Sequence, residues 1–302
     1  MPGDRLAAGT VLYHPDPDLL DRLLHALDRN DMHVFVFVNG ETTSAVDDSL
    51  ARISNIDTIR SAANVGLGAG LNEIVRAAEA GGFSHVLLFD QDSSPEPGLP
   101  SALSDCVRRL QIASEPVAAV GPRLVVPPGG RYKPLRYSKR RRAGLPCGTA
   151  VNFLPTSGSL VSIAAWRRIG PFRADYFIDG IDIEWCYRAW SQGYACVLVD
   201  ELEMVHRWGV PSAKRGRSGH QIARQSDLRA YYHFRNALYG LRLTHMPWRW
   251  RASQVPRLTA QMFLFVQSRG FRRPSWVLLR RALAAGLAGR LGSAPPDVAP
   301  GD

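Results

Sequence analysis

The chain has 302 residues, 45% hydrophobic and 21% charged, which suits one large α/β domain with or without an extension. Its net charge of +10 favours an anionic partner such as a nucleotide, a phospholipid surface or a nucleic acid. The N-terminus lacks the pattern of a signal peptide, and no uninterrupted apolar run approaches the ~20 residues that span a bilayer, so any membrane contact is expected to be peripheral.

Strand and helix patterns alternate over the first ninety or so residues. Short β runs cover residues 9–13, 33–38 and, more weakly, 53–59. Leucines repeat at helical spacing over residues 19–27, and a second helical pattern passes through residues 74–78. This order predicts a mostly parallel sheet with covering helices.

The stretch from residue 85 to residue 93 reads HVLLFDQDS, an apolar run followed by Asp90 and Asp92. Its length and its flanking turn formers predict a buried strand of a parallel sheet. Ligands bind beyond the carboxyl ends of such strands, where two carboxylates suit Mg²⁺ or Mn²⁺ together with substrate phosphates. The alternative is that the two acids cap the following turn.

A glycine-rich run, NVGLGAGLN, covers residues 64–72. A dinucleotide fingerprint would need a third glycine at the place of Leu71, so this reading is set aside. The glycines still permit close backbone approach to a ligand, or a tight loop.

The middle of the chain contains a helix pattern at 99–110, a strand pattern at 117–120 and another at 150–154. Residues 127–144 have no apolar periodicity and include the basic run 139–142, which is typical of a solvated loop or of a lid that contacts an anion. A polar turn at 156–159 precedes an apolar segment at 160–166.

A second acidic cluster lies in the stretch FIDGIDIEW, residues 177–185. A helix is predicted from Asp182 onward, and Asp179 and Asp182 lie around its N-terminus, where the helix dipole favours carboxylates. One of the two acids is expected to cap the helix, which does not exclude catalysis by the other. A strand is predicted at 194–199, and His206 follows it, either as a structural residue or as a ligand at the same sheet edge.

The C-terminal part differs in character. Residues 214–217 are polar and basic, and a helix is predicted at 228–243. From 248 to 290, aromatic and aliphatic residues interleave with arginines, which is typical either of helices lying on an anionic membrane or of helices packed on the core. We therefore expect a catalytic domain at 1–245, a basic amphipathic helical extension at 246–292 and a disordered tail at 293–302.

The four cysteines (Cys106, Cys147, Cys186 and Cys196) form no C-x-x-C pair. They are expected to be reduced, mostly buried thiols of a cytoplasmic protein. The protein is expected in the cytoplasm, with the inner face of the cell membrane as an alternative location.

Over residues 9–243 the chain resembles the family 2 glycosyltransferases of the GT-A fold, and within them the rhamnosyltransferase-like branch. Each motif is short, but their order and spacing together carry the resemblance. The motifs are VLYHP at 11–15, N-x-G at 64–66, G-x-N at 70–72, DQDS at 90–93, SGS at 157–159, FID at 177–179, DIEW at 182–185, His206 and YY-x-x-RN at 231–236.

The resemblance implies a role for each matching residue. Asp92 and His206 would bind Mg²⁺ or Mn²⁺, Asp90 would contact the ribose or a water of the metal, and Asp182 would be the catalytic base. The remaining donor-binding positions would be Tyr13, Asn39, Asn64, Ser157 and Gly158. Family members often have Asp-Asn where this chain has Val38-Asn39, so a carboxylate usually placed near the base is missing.

The implied activity is inverting, metal-dependent transfer of a sugar from a nucleotide-sugar donor, with dTDP-L-rhamnose as the leading donor, to a glycan or lipid-linked acceptor of the cell surface. Galactofuranosyl or another hexosyl transfer is the nearest alternative, and a UDP-sugar the alternative donor. Two alternatives come from other classes: a basic nucleic-acid-binding protein, for which no recognised binding module appears, and an inactive nucleotide-binding subunit.

Overall fold

The computed structural model describes residues 5–127, 135–142, 144–206 and 226–298. Within these ranges, one sheet contains β1 (Leu6–Leu12), β2 (His33–Asn39), β3 (Ile56–Ser61), β4 (His85–Asp90), β5 (Val117–Val125), β6 (Thr149–Ala150), β7 (Ser159–Ser162) and β8 (Ala195–Val205). The helices are α1 (Pro17–Asp28), α2 (Ser44–Ala51), α3 (Leu67–Ala80), α4 (Leu99–Ile112), α5 (Ile163–Ile169), α6 (Ile181–Ser191), α7 (Asp227–Gly240), α8 (Trp248–Ser268) and α9 (Arg273–Ala288).

The strand order across the sheet is β3-β2-β1-β4-β7-β5-β8-β6. Strands β1 to β4 pair in parallel, and β5 pairs in parallel with β8. Strand β7 is antiparallel to both β4 and β5, so β5 and β8 run in the same direction as β4. The prediction of a mostly parallel sheet is confirmed, and most strands end at one common edge.

The core lies in two layers, one on each face of the sheet, because successive side chains of a strand point to opposite faces. On β4, Val86 and Leu88 pack in the layer that contains α3, whereas Leu87 and Phe89 pack in the layer that contains α1 and α4. Helix α1 begins where Asp16 accepts hydrogen bonds from two backbone amides of its first turn.

Several elements differ from the sequence prediction. Helix α2 lies between β2 and β3, where no helix is predicted, and its short sequence offers only three buried side chains. The apolar segment predicted at 160–166 divides into β7 and α5, because Ser162 caps the helix by accepting from the Ala165 amide. The predicted strand at 150–154 is only the two-residue β6.

The C-terminal helices pack on one another and on the segment that contains Phe177 and Ile178. A third apolar cluster joins α7 to α8 and α9 through residues such as Phe234, Leu258 and Leu279. The prediction of a disordered tail is wrong for residues 293–298: Val298 is buried in this cluster, and the Ala294 amide donates to the Tyr232 hydroxyl. Residues 299–302 and 214–217 lie outside the described residues. None of the helices in the described ranges combines the length and apolar character that a bilayer crossing requires.

The expectation of four reduced cysteines is wrong for two of them. Cys106 on α4 and Cys147 form a disulfide across a separation of 41 residues. Cys186 and Cys196 are free and buried. The error arises because spacing along the chain carries no information on which distant thiols a fold brings together.

Candidate active site

One acidic and one basic side chain, those of Asp90 and His206, lie close together where β4 and β8 end. Strand β4 ends at Asp90, and β8 ends one residue before His206. An isolated bridge between Ser94 and Val205 joins the two segments, and the His206 amide donates to the Val125 carbonyl at 2.9 Å. As a result, the His206 Nε2 atom lies 3.9 Å from a carboxylate oxygen of Asp90.

Hydrogen bonds of Ser93 and Ser157 stabilise the turn after β4. The Ser93 amide donates to the Asp90 carbonyl at 3.0 Å, and the Ser93 and Ser157 hydroxyls lie 2.8 Å apart. The Ser157 hydroxyl also accepts from the Asp90 amide, while the Gly158 amide donates to the Leu88 carbonyl. The polar turn at 157–158 therefore fixes the backbone of the acidic pair.

The predicted donor-binding residues Tyr13, Asn39 and Asn64 follow the neighbouring strands at the same edge of the sheet. The Asn39 side-chain amide donates to the Asn64 side-chain oxygen at 2.9 Å, and the Asn39 oxygen accepts from the Val65 amide. The Gln91 side chain exchanges two hydrogen bonds with the Tyr13 backbone. These contacts tie the ends of the first strands to the acidic turn.

Asp182 lies in the first turn of α6, half-buried, with a carboxylate oxygen that accepts from the Ile183 amide at 2.8 Å. Burial, together with the charges of Asp179 and Asp90, raises the pKa of Asp182 to about 7, although the hydrogen bond from the Ile183 amide acts to lower it. The interaction with Asp90 brings the two acidic clusters of the sequence into one site. A carboxylate with this pKa is suited to accept a proton near neutral pH.

Asp179 behaves in the opposite way. Burial alone would raise its pKa, but hydrogen bonding and charge from His233 and Arg229 outweigh burial and lower it. The His233 Nδ1 atom lies 3.2 Å from one oxygen of Asp179, and Arg229 lies 3.8 Å from the other. Two acids three residues apart are thus held in different protonation regimes, which is typical of sites that perform acid–base chemistry.

The YY-x-x-RN motif holds the turn that carries these acids. The Asn236 amide lies within hydrogen-bond distance of the carbonyls of Tyr176, Ile178 and Asp179. Arg235, which is 1% exposed, donates to the Tyr176 carbonyl at 2.9 Å. The Arg235 Nε atom donates to the Asn236 side-chain oxygen, and both side chains also donate to backbone carbonyls, so the two residues position the turn.

The glycine run packs against the same turn. The Leu67 amide donates to the Phe177 carbonyl at 2.6 Å, and a Cβ atom on Gly66 would lie 2.7 Å from that carbonyl oxygen. The sequence leaves open close backbone approach to a ligand or a tight loop at the glycine run. The structure shows a close approach, and the group that the glycine run approaches is the backbone of Phe177.

The side chains at this edge suit a hard divalent cation if oxygen atoms of a substrate complete its coordination. Asp90, Asp92 and His206 carry carboxylate and imidazole groups that would suit such a cation. Burial and the charge of Asp92 raise the pKa of Asp90, while the charge of His206 opposes this rise. Across the described ranges, no group of three metal-binding side chains stands close enough to hold an ion by itself. This matches a cation held by one or two protein groups and completed by phosphate oxygens.

A cavity of about 1000 Å³ adjoins the N-terminus of α6, where Asp179, Gly180 and Ile183 line its wall. Side chains of α7 and α8 and of residues 135–140 complete it. Sequence reasoning identified neither this cavity nor the roles of His233 and Arg229, because these residues lie about fifty positions or more from the acids that they serve.

Comparisons with known proteins show what this chain is similar to. No family model matches the sequence. The chain is 28% identical over 246 residues to a dTDP-rhamnosyl transferase RfbF of Shigella flexneri, covering 78% of this chain and 80% of the relative. It is 24% identical over 284 residues to an N-acetylglucosaminyl-diphospho-decaprenol L-rhamnosyltransferase of Mycobacterium tuberculosis, covering 82% and 87% of the two chains.

The chain is a glycosyltransferase that is similar to the rhamnosyltransferases of family 2. Solved structures of similar fold include GalNAc-T7 with UDP, GalNAc and Mn²⁺, with a TM-score of 0.60 at 11% identity; the match covers 80% of this glycosyltransferase and 48% of GalNAc-T7. They also include S. aureus TarS 1–349 with UDP-GlcNAc, with a TM-score of 0.59 at 13% identity, covering 97% and 82%.

These findings confirm the predicted GT-A fold, the predicted family and a nucleotide-sugar glycosyltransferase activity. The glycosyltransferase is therefore an enzyme, and the nucleic-acid-binding alternative loses its support. The individual roles of Asp92, His206 and Asp182 remain predictions, as do the domain boundaries.

Proposed function

We propose that this glycosyltransferase moves L-rhamnose, with inversion, from dTDP-L-rhamnose to a hydroxyl of a cell-surface glycan or glycolipid. One observation carries the proposal: burial and the charges of Asp179 and Asp90 raise the pKa of Asp182 to about 7, and Asp90 itself lies 3.9 Å from His206 at the common edge of the sheet. The names of the relatives from Shigella flexneri and Mycobacterium tuberculosis support rhamnose as the transferred sugar.

In the proposed reaction, the Asp182 carboxylate accepts the proton of the acceptor hydroxyl as that oxygen attacks the anomeric carbon. Attack from the side opposite the nucleotide diphosphate inverts the configuration. General base catalysis of this kind is worth about 10²–10⁴ in rate. Asp179, whose pKa is lowered by His233 and Arg229 despite burial, stays ionised and holds the turn in place.

Asp92 and His206 would hold Mg²⁺ or Mn²⁺, and Asp90 would contact the ribose or a water of that ion. Such a cation neutralises the charge that develops on the leaving diphosphate. Tyr13, Asn39, Asn64, Ser157 and Gly158 would line the nucleotide side of the cleft. Because a carboxylate near the base is missing at Val38, a UDP-sugar donor and galactofuranosyl or other hexosyl transfer remain the alternatives.

The donor can be identified without knowledge of the acceptor. A ligand that binds only the folded protein raises its melting temperature by mass action. We expect dTDP-L-rhamnose with Mg²⁺ or Mn²⁺ to raise the melting temperature more than UDP-sugars do. Stabilisation by UDP-galactofuranose alone would instead select the alternative.

Removing the carboxylate of Asp92 tests the metal assignment. We expect Asp92→Ala to abolish the Mn²⁺-dependent part of dTDP binding in isothermal titration calorimetry, because the cation links the protein to the diphosphate. Asp105→Ala is a matched control, since Asp105 lies on the exposed face of α4, paired with Arg108. Unchanged affinity of Asp92→Ala in the presence of Mn²⁺ would refute the assignment.

We also propose that α8 and α9 contact the inner face of the cell membrane. The exposed side chains of Trp248, Phe263, Phe271 and Trp276, each more than half exposed, lie on a segment rich in arginine. Apolar and basic groups together favour peripheral binding to anionic lipid.

A further inference from the structure

The large cavity beside α6 has no part in donor binding as proposed above. Gly180 and Ile183 line it, and Asp182, the proposed base, lies between them in the chain. The cavity therefore opens next to the point where an acceptor hydroxyl must be deprotonated. At about 1000 Å³ it has the size of the larger small-molecule sites and can hold more than one sugar ring.

The walls of this cavity carry an excess of positive charge. Arg136 and Arg140 line one side, and Arg249 and Arg257 line another. Among the described lining residues, Asp179 is the one acid, and it already interacts with His233 and with Arg229. The described part of the chain places no carboxylate within 4.0 Å of any of the four lining arginines. The described residues therefore leave the positive charges of these four arginines uncompensated.

Arg140 gives the most direct indication of an anion-binding site. Its guanidinium lies 4.3 Å from the centre of the Trp190 ring, which fixes it in place. One of its terminal nitrogens, Nη1, is buried and finds no hydrogen-bond acceptor among the described residues. A buried charged donor without an acceptor destabilises the protein, so such an atom indicates a partner that the chain does not itself supply.

The opposite wall combines charge with aromatic surface. Arg249, Ser253 and Arg257 follow one another at intervals of four residues, so they share one face of α8. Between them and α6, the rings of Trp250 and Tyr187 pack edge to face at 5.9 Å. This wall offers an apolar surface for a sugar ring next to guanidinium groups, which bind phosphate oxygens through paired hydrogen bonds.

We propose that the cavity binds the acceptor through a phosphoryl or diphosphoryl group, held by Arg140 and Arg257 with Arg136 and Arg249, while the acceptor sugar lies toward the N-terminus of α6. The proposal rests on the proposed function, because it assigns the cavity to the acceptor of that reaction. The anion could belong to a lipid-linked sugar diphosphate or to a soluble sugar phosphate. Arg136 and Arg140 belong to the described part of the basic segment that the sequence predicts as a solvated loop, a lid or an anionic contact, and the proposal favours the anionic contact.

The test measures binding of inorganic pyrophosphate by calorimetry in EDTA, so that no divalent cation can hold the probe at Asp92. We expect Arg140→Gln and Arg257→Gln each to weaken binding about tenfold, the loss of one charge-assisted contact. Arg280→Gln is the matched control: it removes the same charge from an exposed position on α9, outside the cavity, and binding should stay within about twofold. Equal weakening in the control, or no pyrophosphate binding by the unchanged protein, would overturn the proposal.

Farnesyl diphosphate distinguishes the two sources of the anion. Tighter binding than pyrophosphate, with the same loss in the two cavity variants, would assign the site to a lipid-linked acceptor, whereas equal binding would assign it to a soluble one. Mn²⁺-dependent dTDP binding should be unchanged in all three variants. If dTDP fails to bind the unchanged protein, the proposed donor chemistry fails, and the pyrophosphate result still decides the cavity.

Discussion

At the scale of single residues, the site depends on Asp179 and Asp182, two acids at the N-terminus of α6 whose pKa values shift in opposite directions. Burial and the charges of Asp179 and Asp90 raise the pKa of Asp182 to about 7. Burial also acts on Asp179, yet His233 and Arg229 lower its pKa. The difference comes from partners on α7, so α7 decides which of the two carboxylates can exchange a proton near neutral pH.

We expect the rate of transfer to fall as the pH drops through about 7, because a base with a raised pKa is protonated, and therefore inactive, below that pH. Asp182→Asn should reduce kcat by about 10²–10⁴ and remove this pH dependence, while dTDP affinity changes little. Steady-state kinetics from pH 5 to pH 9, with calorimetry on both proteins, provide the measurement.

Asp57→Asn is a suitable comparison for Asp182→Asn. Asp57 lies at the exposed start of β3, paired with His33, so its substitution should leave the pH profile unchanged. Turnover by Asp182→Asn at the level of the unchanged enzyme would remove Asp182 as the base.

Single residues also show which parts of the candidate site can be predicted from the sequence. Asp90, Asp182 and His206 can be placed at the ends of elements from the sequence, because each ends, follows or opens a strongly patterned element, and their roles stay predictions. The partners His233 and Arg229 are not found, because only the tertiary fold brings α7 against the turn at 179.

At the scale of elements, the turn at 175–179 is clamped between the glycine run and α7. Gly66 approaches the Phe177 backbone so closely that a Cβ atom there would lie 2.8 Å from the Phe177 Cα. From the other side, the Asn236 amide holds the carbonyls of Ile178 and Asp179. Phe177 and Asp179 both have positive φ angles, a backbone conformation that persists only where neighbours enforce it.

Gly66→Ala should therefore both destabilise the protein and slow the reaction. The φ of +87° costs an alanine about 1–3 kcal/mol, and the contact with the Phe177 backbone adds about 1–3 kcal/mol. Displacement of the turn should also lower kcat, since it moves the start of α6. Denaturant unfolding and steady-state kinetics measure the two effects.

Gly170→Ala is the matched control, because Gly170 has a similar backbone conformation, with φ of 96° and ψ of 162° against 87° and 161°. Its Cβ atom would meet only the end of the Arg188 side chain, which can move aside. It should show the backbone penalty alone, with kcat retained. Equal loss of unfolding free energy in both variants would exclude the clamp.

The sequence predicts the elements that have strong periodicity and misses those defined by few contacts. Strand β4 is predicted at its observed bounds because a continuous apolar run, residues 86–89, forms its centre, whereas α2 is not predicted because it buries little. The disulfide between Cys106 and Cys147 is missed for the same reason as the clamp: both are contacts between distant segments. It ties the end of the basic segment that carries Arg140 to α4.

At the scale of the whole molecule, the charge of +10 is concentrated away from the first strands, in residues 135–142 and in the C-terminal helices. The composition predicts an anionic partner but not where it binds. The structure divides this charge between arginines that line the cavity beside α6 and arginines on the exposed surface of α8 and α9.

The exposed surface of α8 and α9 leads to a prediction about the whole enzyme. We expect it to sediment with vesicles rich in phosphatidylglycerol and not with phosphatidylcholine vesicles, and we expect added salt to weaken the interaction because it screens exposed charges. Phe263 and Trp276 are both more than half exposed, and burying a side chain of this size in lipid contributes about 1.5–3 kcal/mol. Either Phe263→Ser or Trp276→Ser should therefore weaken vesicle binding about tenfold or more.

The control for vesicle binding is Ile112→Ser, which removes an isoleucine that is 80% exposed at the end of α4, outside the C-terminal helices. It should bind vesicles as the unchanged enzyme does, because general surface hydrophobicity is not the cause of binding. Transfer to a soluble acceptor should be preserved in Trp276→Ser, since that side chain lines neither the cavity nor the acidic turn. Vesicle binding that survives both C-terminal substitutions would instead mean that α8 and α9 act only as a packing layer over α7.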